Sequence, residues 1–335
     1  MNKFYIRNVM LEDVEDLYEL SQIVNFINLP SDKSLIEEKV NLSLESFKTP
    51  NPDKSKNWYI FVLVDALKDK IIGVSMIHAQ HGTEKEPHFY LKVDYEQKFS
   101  KTINTGFTHG TLKLGLETNG PTEIGGLILH PDYRKHKLGK QLSFVRFLYI
   151  AKYPERFKEV IHTELMPPFD ENGNSPLWEA IGRRFMNMDY NEADILSRNN
   201  KEFILSLFPS DNIYMTLLPL EARESVGQVG RDTIPVKVML EKIGFEYTSE
   251  VDPFDGGPHY RARQERIKTI QDAKKVKLDK AKDKESSNKY LIELPKKEYQ
   301  FYVECFEGKS QGDVLNLIGL DDDLASQEAF CVNIY

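Results

Sequence analysis

Apolar residues follow two different periods along the chain, and each period predicts one kind of secondary structure. Runs rich in β-branched and aromatic residues, bounded by polar turns, predict strands at 4–9, 58–66, 71–80, 123–129 and 158–165. Apolar residues spaced three and four apart predict helices at 10–24, 31–47, from about 138, at 177–188 and at 193–208. The segment 235–251 predicts a helix, a glycine stop and a strand. Together these elements predict an α+β fold with a mixed sheet.

The C-terminal part of the chain differs in composition from the rest. Residues 266–289 include nine Lys or Arg and four Asp or Glu among few apolar residues, which predicts a charged linker or an exposed helix. Four short apolar runs beyond it predict a small C-terminal β unit at 290–335. We therefore expect one domain at 1–265, with a helical insertion at about 166–230, followed by the linker and the β unit.

Length, charge and cysteine usage limit the classes of function. The chain has 335 residues and a formal net charge of −8, so it can bury a sizeable core and does not favour nucleic acid or an anionic membrane. The N-terminus has no apolar region typical of a signal peptide, and no apolar window is long enough to span a bilayer, so we expect a cytoplasmic protein. With only 2 cysteines the chain lacks a thiolate zinc site, and we expect no metal. A homo-oligomer is possible.

One turn carries the clearest chemical signal. The sequence EIGGLILHPDYRKHKLGKQ predicts a strand, a basic turn and the beginning of a helix. Unpaired N–H groups at a helix N-terminus attract anions, and the turn adds cationic side chains around them. The alternative is a strand-to-helix connection with solvated lysines. Lys137 stands where a positive φ would favour glycine, at a conformational penalty of roughly 1 kcal/mol.

This turn resembles the coenzyme A loop of the GNAT N-acyltransferase superfamily, whose signature is Arg/Gln-x-x-Gly-x-Gly/Ala. Arg134 and Gly139 match the first and last positions, and Lys137 replaces the first glycine. The resemblance implies a GNAT-like mixed, mainly antiparallel sheet flanked by helices. It also implies that coenzyme A contacts the main chain of a splayed strand and the residues of the turn, namely Leu127, Ile128, Leu129, Arg134, Lys135, Lys137, Leu138, Gly139 and Lys140.

Four further fragments, in the right order, resemble the arginine N-succinyltransferase family. They are DENGNSPLWEAIGRRFMNMDYNEADIL (170–196), SVGQV (225–229), VMLEKIGFEY (238–247) and FDGGP (254–258). The resemblance implies transfer of succinyl from succinyl-CoA, as co-substrate, to the α-amino group of arginine. No permanently bound cofactor is implied.

Three positions depart from the family pattern. The histidine that acts as general acid in the family directly follows Gly-Gln-Val, and here Gly230 occupies that position. The glycine-rich stretch before Ser-Leu-Pro is replaced by 21–30, and Lys137 stands in the coenzyme A loop. The first departure bears on proton donation, the second on arginine specificity and the third on the tightness of coenzyme A binding.

Acyl transfer to an amine needs a group that takes a proton from the arriving ammonium. Glu164 matches an acidic position of the family, and His162 lies two residues earlier on the same face of a strand. The alternative is that both side chains face solvent on an edge strand. For a cationic acceptor, carboxylates in two loops are candidates: Asp170, Glu171 and Asp255, together with Ser175, which could instead only cap the next helix.

Two other functions stay open on this evidence. The same fold could use another acyl-CoA or another amine acceptor, as the departures permit. Alternatively, a chain that has lost its general acid could bind coenzyme A without catalysis.

Overall fold

The computed structural model describes residues 3–23, 29–197, 200–281 and 288–334, without the side chains of residues 135 and 136. The chain divides into two compact units. Unit 1 comprises Met1–Gln80, Thr122–Glu159 and Arg263–Tyr335, and unit 2 comprises His81–Pro121 and Val160–Ala262. The predicted division into domains at 265 and 289 stays a prediction.

The strands of the described residues are β1 (Phe4–Asn8), β2 (Trp58–Asp65), β3 (Lys70–His78), β4 (His88–Ser100), β5 (Thr105–Glu117), β6 (Thr122–Leu129), β7 (Val160–Glu164), β8 (Ile213–Tyr214), β9 (Glu246–Val251), β10 (Pro258–Arg263), β11 (Lys274–Lys280), β12 (Asn288–Glu293), β13 (Tyr302–Gln311), β14 (Val314–Leu317) and β15 (Glu328–Ile334). The α-helices are α1 (Val14–Ile23), α2 (Lys33–Lys48), α3 (Leu138–Lys152), α4 (Pro176–Ala180), α5 (Gly182–Met186), α6 (Tyr190–Ser197), α7 (Glu202–Leu207), α8 (Leu220–Ser225), α9 (Ile234–Lys242) and α10 (Lys268–Gln271). The described helices include none that is long and apolar enough to cross a membrane.

Unit 1 contains strands in the order β12-β15-β11-β14-β13-β1-β2-β3-β6. The β11–β14 pair is parallel and the other neighbouring pairs in this order are antiparallel. Strand β2 is buried on both faces, as its continuous apolar run indicates. Val62 packs in one core cluster with residues of α1 and α2, whereas the Phe61 ring meets Tyr149 of α3 at 5.4 Å between centroids. Helices thus cover both sides of this part of the sheet.

Unit 2 contains strands in the order β7-β10-β9-β4-β5-β8. Strands β4 and β5 form a long hairpin that pairs from His88 opposite Glu117 to Ser100 opposite Thr105. Helices α4 to α8 lie between 166 and 230, where the sequence predicts a helical insertion. Trp178 of α4 is fully buried and stacks on Phe254, so it belongs to the core of this unit. The predicted α+β class with a mixed, mainly antiparallel sheet is confirmed.

The charged segment 266–289 departs from its predicted structure. Part of it is helical, as α10, but Lys274–Lys280 forms strand β11 instead of continuing as a linker or helix. Val276 and Leu278 point into the core while the residues on either side of each stay exposed. The prediction was wrong here because the high lysine content hid an alternation with period two, which is the pattern of a half-buried strand.

Candidate functional site

The predicted anion-binding turn lies in unit 1, between β6 and α3. A short 3-10 helix, Pro131–His136, follows the strand, and the ring of His130 accepts a hydrogen bond from the Asp132 N–H through Nδ1 at 3.3 Å. Lys137, directly before α3, has φ 57° and ψ 15°. This is the left-handed conformation in which glycine is common and a lysine is strained. Lys137 therefore takes the conformation expected of the glycine that it replaces.

Gly139 leaves space at the first turn of α3. A Cβ atom added there would meet one described atom within 4 Å, Leu129 Cδ2, at an ordinary contact distance of 3.8 Å. Neither its φ angle nor its neighbours in the fold require a glycine. Because a phosphate group must approach the backbone closely to reach its N–H groups, an open glycine at this place is consistent with a bound anion.

Strand β6 contains a β-bulge shortly before this turn. Val74 of β3 pairs with Ile128 and Met76 with Gly125, so Gly126 and Leu127 together lie opposite one residue of β3. Gly126 has φ +56°, which allows the extra residue. The strand thus departs from regular pairing next to Leu127–Leu129, whose main chain the resemblance assigns to coenzyme A.

Several of the predicted cationic side chains surround the beginning of α3. Arg134 and Lys137 are exposed, and the ammonium group of Lys140 lies 5.3 Å from the centre of the Phe144 ring. The side chain of Lys135 lies outside the described residues. Leu138 is buried, so it could contact a ligand through its main chain only. The first turn of α3 combines N–H groups with positive charge, which is the arrangement that binds phosphate.

The second candidate region lies in unit 2 and includes both predicted catalytic residues. His162 Nε2 lies 3.4 Å from Glu164 Oε1, so the two side chains do share one face of β7. The His162 side chain is 0% exposed and the Glu164 side chain 31% exposed. The alternative in which both face solvent is therefore wrong for His162, because the rings of His88 and His259 pack against it at 4.9 and 4.8 Å between centroids.

Two further histidines, which the sequence did not indicate, join this pair. His88 comes from β4 and His259 from β10, and both rings are buried. Glu164 Oε1 lies 3.6 Å from His88 Nδ1 and 3.8 Å from His259 Nε2. We call His88, His162, Glu164 and His259 the imidazole cluster. His259 directly follows the FDGGP fragment, which is the signal that could have drawn attention to it.

Arg261 fixes the orientation and tautomer of one ring of the imidazole cluster. Its Nε–H donates to His162 Nδ1 at 3.2 Å, while its two terminal nitrogens donate to the Glu117 carboxylate at 2.9 and 2.7 Å. Because Nδ1 of His162 accepts a hydrogen bond, the neutral ring carries its proton on Nε2. That proton points to Glu164, so His162 serves as a donor to the carboxylate.

Burial and hydrogen bonding shift the pKa values of three members of the imidazole cluster, Glu164, His88 and His259. Burial tends to raise the pKa of Glu164, but the hydrogen bond from His162 and the two neighbouring imidazoles outweigh it, and the pKa lies well below its usual range. Burial holds the pKa of His88 well below its ordinary value and lowers the pKa of His259 to about 3. At neutral pH the Glu164 carboxylate is thus ionised, and the rings of His88 and His259 are neutral.

The two loops predicted to bind the acceptor lie against each other. Ser175 Oγ accepts from the Trp178 N–H at 3.1 Å, as a cap of α4, and donates to the Phe254 carbonyl at 3.0 Å. Asp170 is exposed and accepts the N–H groups of two residues in its own loop, and Glu171 is also exposed. Ser175 and Asp170 therefore shape and connect the loops.

Asp255 differs from these residues because it is buried and near a second carboxylate, Asp252. Burial and the charge of Glu164 raise the pKa of Asp252 to about 7. Burial and the charge of Asp252 raise the pKa of Asp255 well above its ordinary value. Within the described ranges no lysine or arginine forms an ion pair with either carboxylate. A cationic group of a ligand near these two carboxylates would therefore stabilise their ionised form.

A cavity of about 600 Å³ opens in unit 2 and is lined in part by Tyr190. Burial and the nearby Asp255 carboxylate raise the pKa of the Tyr190 phenol, and the same phenol lines the cavity. The other lining residues are polar or acidic with one exception: Asn174, Asp189, Asn191, Glu192 and Ile195. The cavity has the polarity and the negative charge suited to a cationic amino acid.

Gly230 lies where the backbone leaves no room for a side chain. Its N–H donates to the Met166 carbonyl at 2.8 Å, and an added Cβ would lie 2.8 Å from the carbonyl oxygen of Pro167. The obstructing atoms belong to the main chain, so they cannot rotate away as a side chain could. Any larger residue at this position requires a shift of the segment at 166–167.

Comparison with known proteins gives a consistent result. The family model described as "Arginine N-succinyltransferase beta subunit" matches residues 4–269. The arginine N-succinyltransferase of Yersinia pestis (strain Pestoides F) is 34% identical over 273 residues, which are 81% of this chain and 77% of the relative. That of Yersinia enterocolitica (serotype O:8 / biotype 1B) is 34% identical over 292 residues, 86% and 84% of the two chains.

A solved structure agrees with the fold over the full length. Arginine/ornithine succinyltransferase subunit AI from Pseudomonas aeruginosa has a TM-score of 0.85, with 100% of both chains covered and 24% sequence identity. At this identity the likeness establishes the fold alone. The family model covers residues 4–269, a range that includes the fragments resembling the family. The chain belongs to the arginine N-succinyltransferase family of acyltransferases.

Proposed function

We propose that the chain transfers the succinyl group of succinyl-CoA to the α-amino group of arginine, by direct attack of the amine in a ternary complex. The observation that carries the proposal is family membership, because relatives with that name share 34% identity over 81% of the chain. Unit 1 contains groups suited to succinyl-CoA, and unit 2 contains groups suited to arginine.

For succinyl-CoA, the proposed site is the β6–α3 connection of unit 1. The pyrophosphate would meet the first N–H groups of α3 with Arg134, Lys135, Lys137 and Lys140 around it, and Gly139 would let it approach. The main chain of Leu127–Leu129, beside the bulge, and of Leu138 would bind the pantetheine and polarise the thioester carbonyl. Such donors stabilise the oxyanion that forms when the amine attacks.

For proton transfer, Glu164 is the proposed catalytic residue. The α-amino group arrives as an ammonium ion at neutral pH and must lose a proton before it can attack. An ionised carboxylate with a partly exposed side chain can bind that ammonium and accept its proton, directly or through water. His162, held by Arg261, donates to Glu164 and thereby positions it.

The absence of a histidine at position 230 should lower the rate of acyl transfer from a thioester less than it would lower the rate of amide hydrolysis. A thiol has a pKa near ~8.5 and leaves as a thiolate without strong need of a proton. Bringing the substrates together supplies much of the acceleration, roughly 7 kcal/mol or more in favourable cases. Gly230 is therefore compatible with catalysis.

For the acceptor, the proposed site is formed by the loop pair and the cavity beside it. Asp255 is the main anionic partner for the guanidinium or ammonium group, with Asp252 next to it. Glu171 lies exposed at the same loop, while Asp170 and Ser175 hold the loop in shape. A cation would favour the ionised form of the buried pair, and this gain would contribute to binding.

Initial-rate kinetics test the proposed mechanism. We expect thiol release from succinyl-CoA that depends on arginine, with intersecting reciprocal plots when both substrates are varied, since a ternary complex requires both to be bound. Parallel plots would indicate a succinyl-enzyme intermediate and contradict direct attack. Glu164→Gln should keep the affinity for coenzyme A and lose turnover or acceptor binding, whereas Glu246→Gln, at an exposed position of β9, should leave both unchanged.

Gly230 favours a second candidate function, a coenzyme A-binding protein without catalysis. Such a protein would be stabilised by coenzyme A without releasing thiol from any acyl-CoA. Activity with another acyl-CoA, or another amine, would instead support an N-acyltransferase of different specificity. A panel of acyl-CoAs against a panel of basic amino acids separates these outcomes.

A further inference from the structure

The imidazole cluster has more ring nitrogens around one carboxylate oxygen than proton transfer requires. One ligand atom from each of its four members lies within 4.8 Å of all the others. The three rings come from three different strands of unit 2, β4, β7 and β10, so a β-sheet framework holds them in place. Convergence of three imidazoles on one carboxylate is common in metal sites and rare in apolar cores.

The distances fit shared coordination better than hydrogen bonding. Two of the three nitrogen–oxygen distances to Glu164, 3.6 Å from His88 and 3.8 Å from His259, exceed the length of an ordinary hydrogen bond. Ligand atoms bound to a zinc-sized ion at ~2.0–2.1 Å lie roughly 3.3–3.6 Å from one another in tetrahedral or trigonal geometry. The observed distances lie close to this range.

Unpartnered atoms point to the same conclusion. Neither ring nitrogen of His259 has a hydrogen-bond partner among the described residues. His259 is completely buried, so water does not readily compensate. His259 Nε2 lies 3.8 Å from Glu164 Oε1, and a cation bound by both atoms would supply its missing partner.

We propose that His88 Nδ1, His259 Nε2 and Glu164 Oε1 bind one divalent transition-metal ion of the Zn²⁺ class. His162 lies outside the ligand set because Arg261 donates to its Nδ1, so its Nε2 carries a proton and orients Glu164 instead. Two imidazoles and one carboxylate form a ligand set that leaves positions open for water. Glu164, the partly exposed ligand, provides the path of entry.

The site has a consequence that depends on the proposed function. The ion and the ammonium group of the acceptor would compete for Glu164 Oε1, so a bound ion should lower the rate of succinyl transfer. Metal binding itself is measured without either substrate, so it succeeds or fails independently of the acyltransferase assignment.

Metal stoichiometry and Co²⁺ spectroscopy on the full chain test the site. After exposure to Zn²⁺ and dialysis, we expect one equivalent per chain, and Co²⁺ should give the visible absorption of a low-coordinate nitrogen and oxygen site. Glu164→Gln keeps the size of the side chain and its hydrogen bond with His162, so it should fold and bind the ion at least 100-fold more weakly. His88→Asn and His259→Asn should have the same effect.

Two variants serve as controls. His109→Ala removes an imidazole of unit 2 that contacts Thr216 and Tyr214 and no member of the imidazole cluster, so binding should not change. His162→Gln should weaken binding about tenfold, because it disturbs a partner of a ligand and not a ligand.

The proposal fails if the wild-type chain retains less than a tenth of an equivalent of Zn²⁺, or if Glu164→Gln retains as much as wild type. Equal loss in His109→Ala would also overturn it, since binding would then be nonspecific. Stoichiometric binding without any decrease in transfer rate would keep the metal site and refute the competition with the acceptor.

Discussion

Lys137 offers a prediction in which folding and ligand binding change in opposite directions. The residue holds φ 57° and ψ 15° and is exposed, directly before α3. Lys137→Gly removes the penalty of a side chain in the left-handed region, about 1–2 kcal/mol. It adds roughly 0.5–1 kcal/mol of backbone entropy loss on folding. We therefore expect the free energy of unfolding to increase by about 0.5–1 kcal/mol.

The same change should weaken coenzyme A binding. Lys137 contributes one charge at the proposed pyrophosphate site, and a charge-assisted hydrogen bond is worth about 1.5–3 kcal/mol. A loss of about 1.4 kcal/mol corresponds to a tenfold higher dissociation constant. Lys137→Ala is the matched control, because it removes the charge but keeps a Cβ in the strained conformation. It should lose the same affinity without becoming more stable.

Urea unfolding followed by circular dichroism, and calorimetric titration with coenzyme A, measure the two effects. A Lys137→Gly variant that is less stable than wild type and unchanged in coenzyme A affinity would contradict both expectations. Equal stability of the glycine and alanine variants would show that the left-handed conformation is not strained.

Three further predictions concern other parts of the structure. The pKa of Asp252 is about 7 in the folded chain, compared with 3.8 for an ordinary aspartate. The folded state therefore holds a proton that the unfolded state releases above pH ~4, so the free energy of unfolding should fall by roughly 2–4 kcal/mol between pH 4 and 7 and level off above pH 7. Denaturant titrations should show a smaller decrease for Asp252→Asn. Gly230→His should lower the free energy of unfolding by roughly 1–3 kcal/mol and give no gain in turnover, because its Cβ would overlap the Pro167 carbonyl. Urea unfolding of Gly230→Ala should show most of the same loss of stability, since alanine adds the same Cβ. Changing Arg134 and Lys140 together to alanine should weaken coenzyme A binding strongly and reduce its dependence on salt; unchanged affinity would remove the proposed pyrophosphate site.

Elements with a strong apolar period were predictable from the sequence. Helix α3 begins at Leu138 as expected, because buried residues recur along it, and β2 follows from its continuous apolar run. Strand β11 was missed because its outward residues are mostly lysines, and the β4–β5 hairpin because many of its side chains stay exposed. Local sequence indicates which face of an element is buried. It does not indicate which mostly exposed segments form strands of the sheet.

The imidazole cluster was predictable only in part. His162 and Glu164 share a face because side chains two apart on a strand always do. His88 and His259 are 171 residues apart in the sequence (259 minus 88). Strand β10 lies beside β7, but β10 and β9 separate β4 from β7 in the sheet, so the meeting of the His88 ring with the other two follows from the tertiary fold. No spacing rule for metal ligands covers such a distance, so the expectation of no metal from the sequence does not bear on the proposed site.

Product analysis of a reaction with succinyl-CoA and arginine tests the proposed succinyl transfer. We expect stoichiometric release of coenzyme A thiol and formation of arginine carrying one succinyl group on its α-amino nitrogen, identified by mass spectrometry and NMR. We also expect a much lower yield when arginine is replaced by an amine without a cationic side chain. Absence of thiol release with a chain that binds succinyl-CoA and is folded, or succinylation of an uncharged amine in preference to arginine, would contradict it.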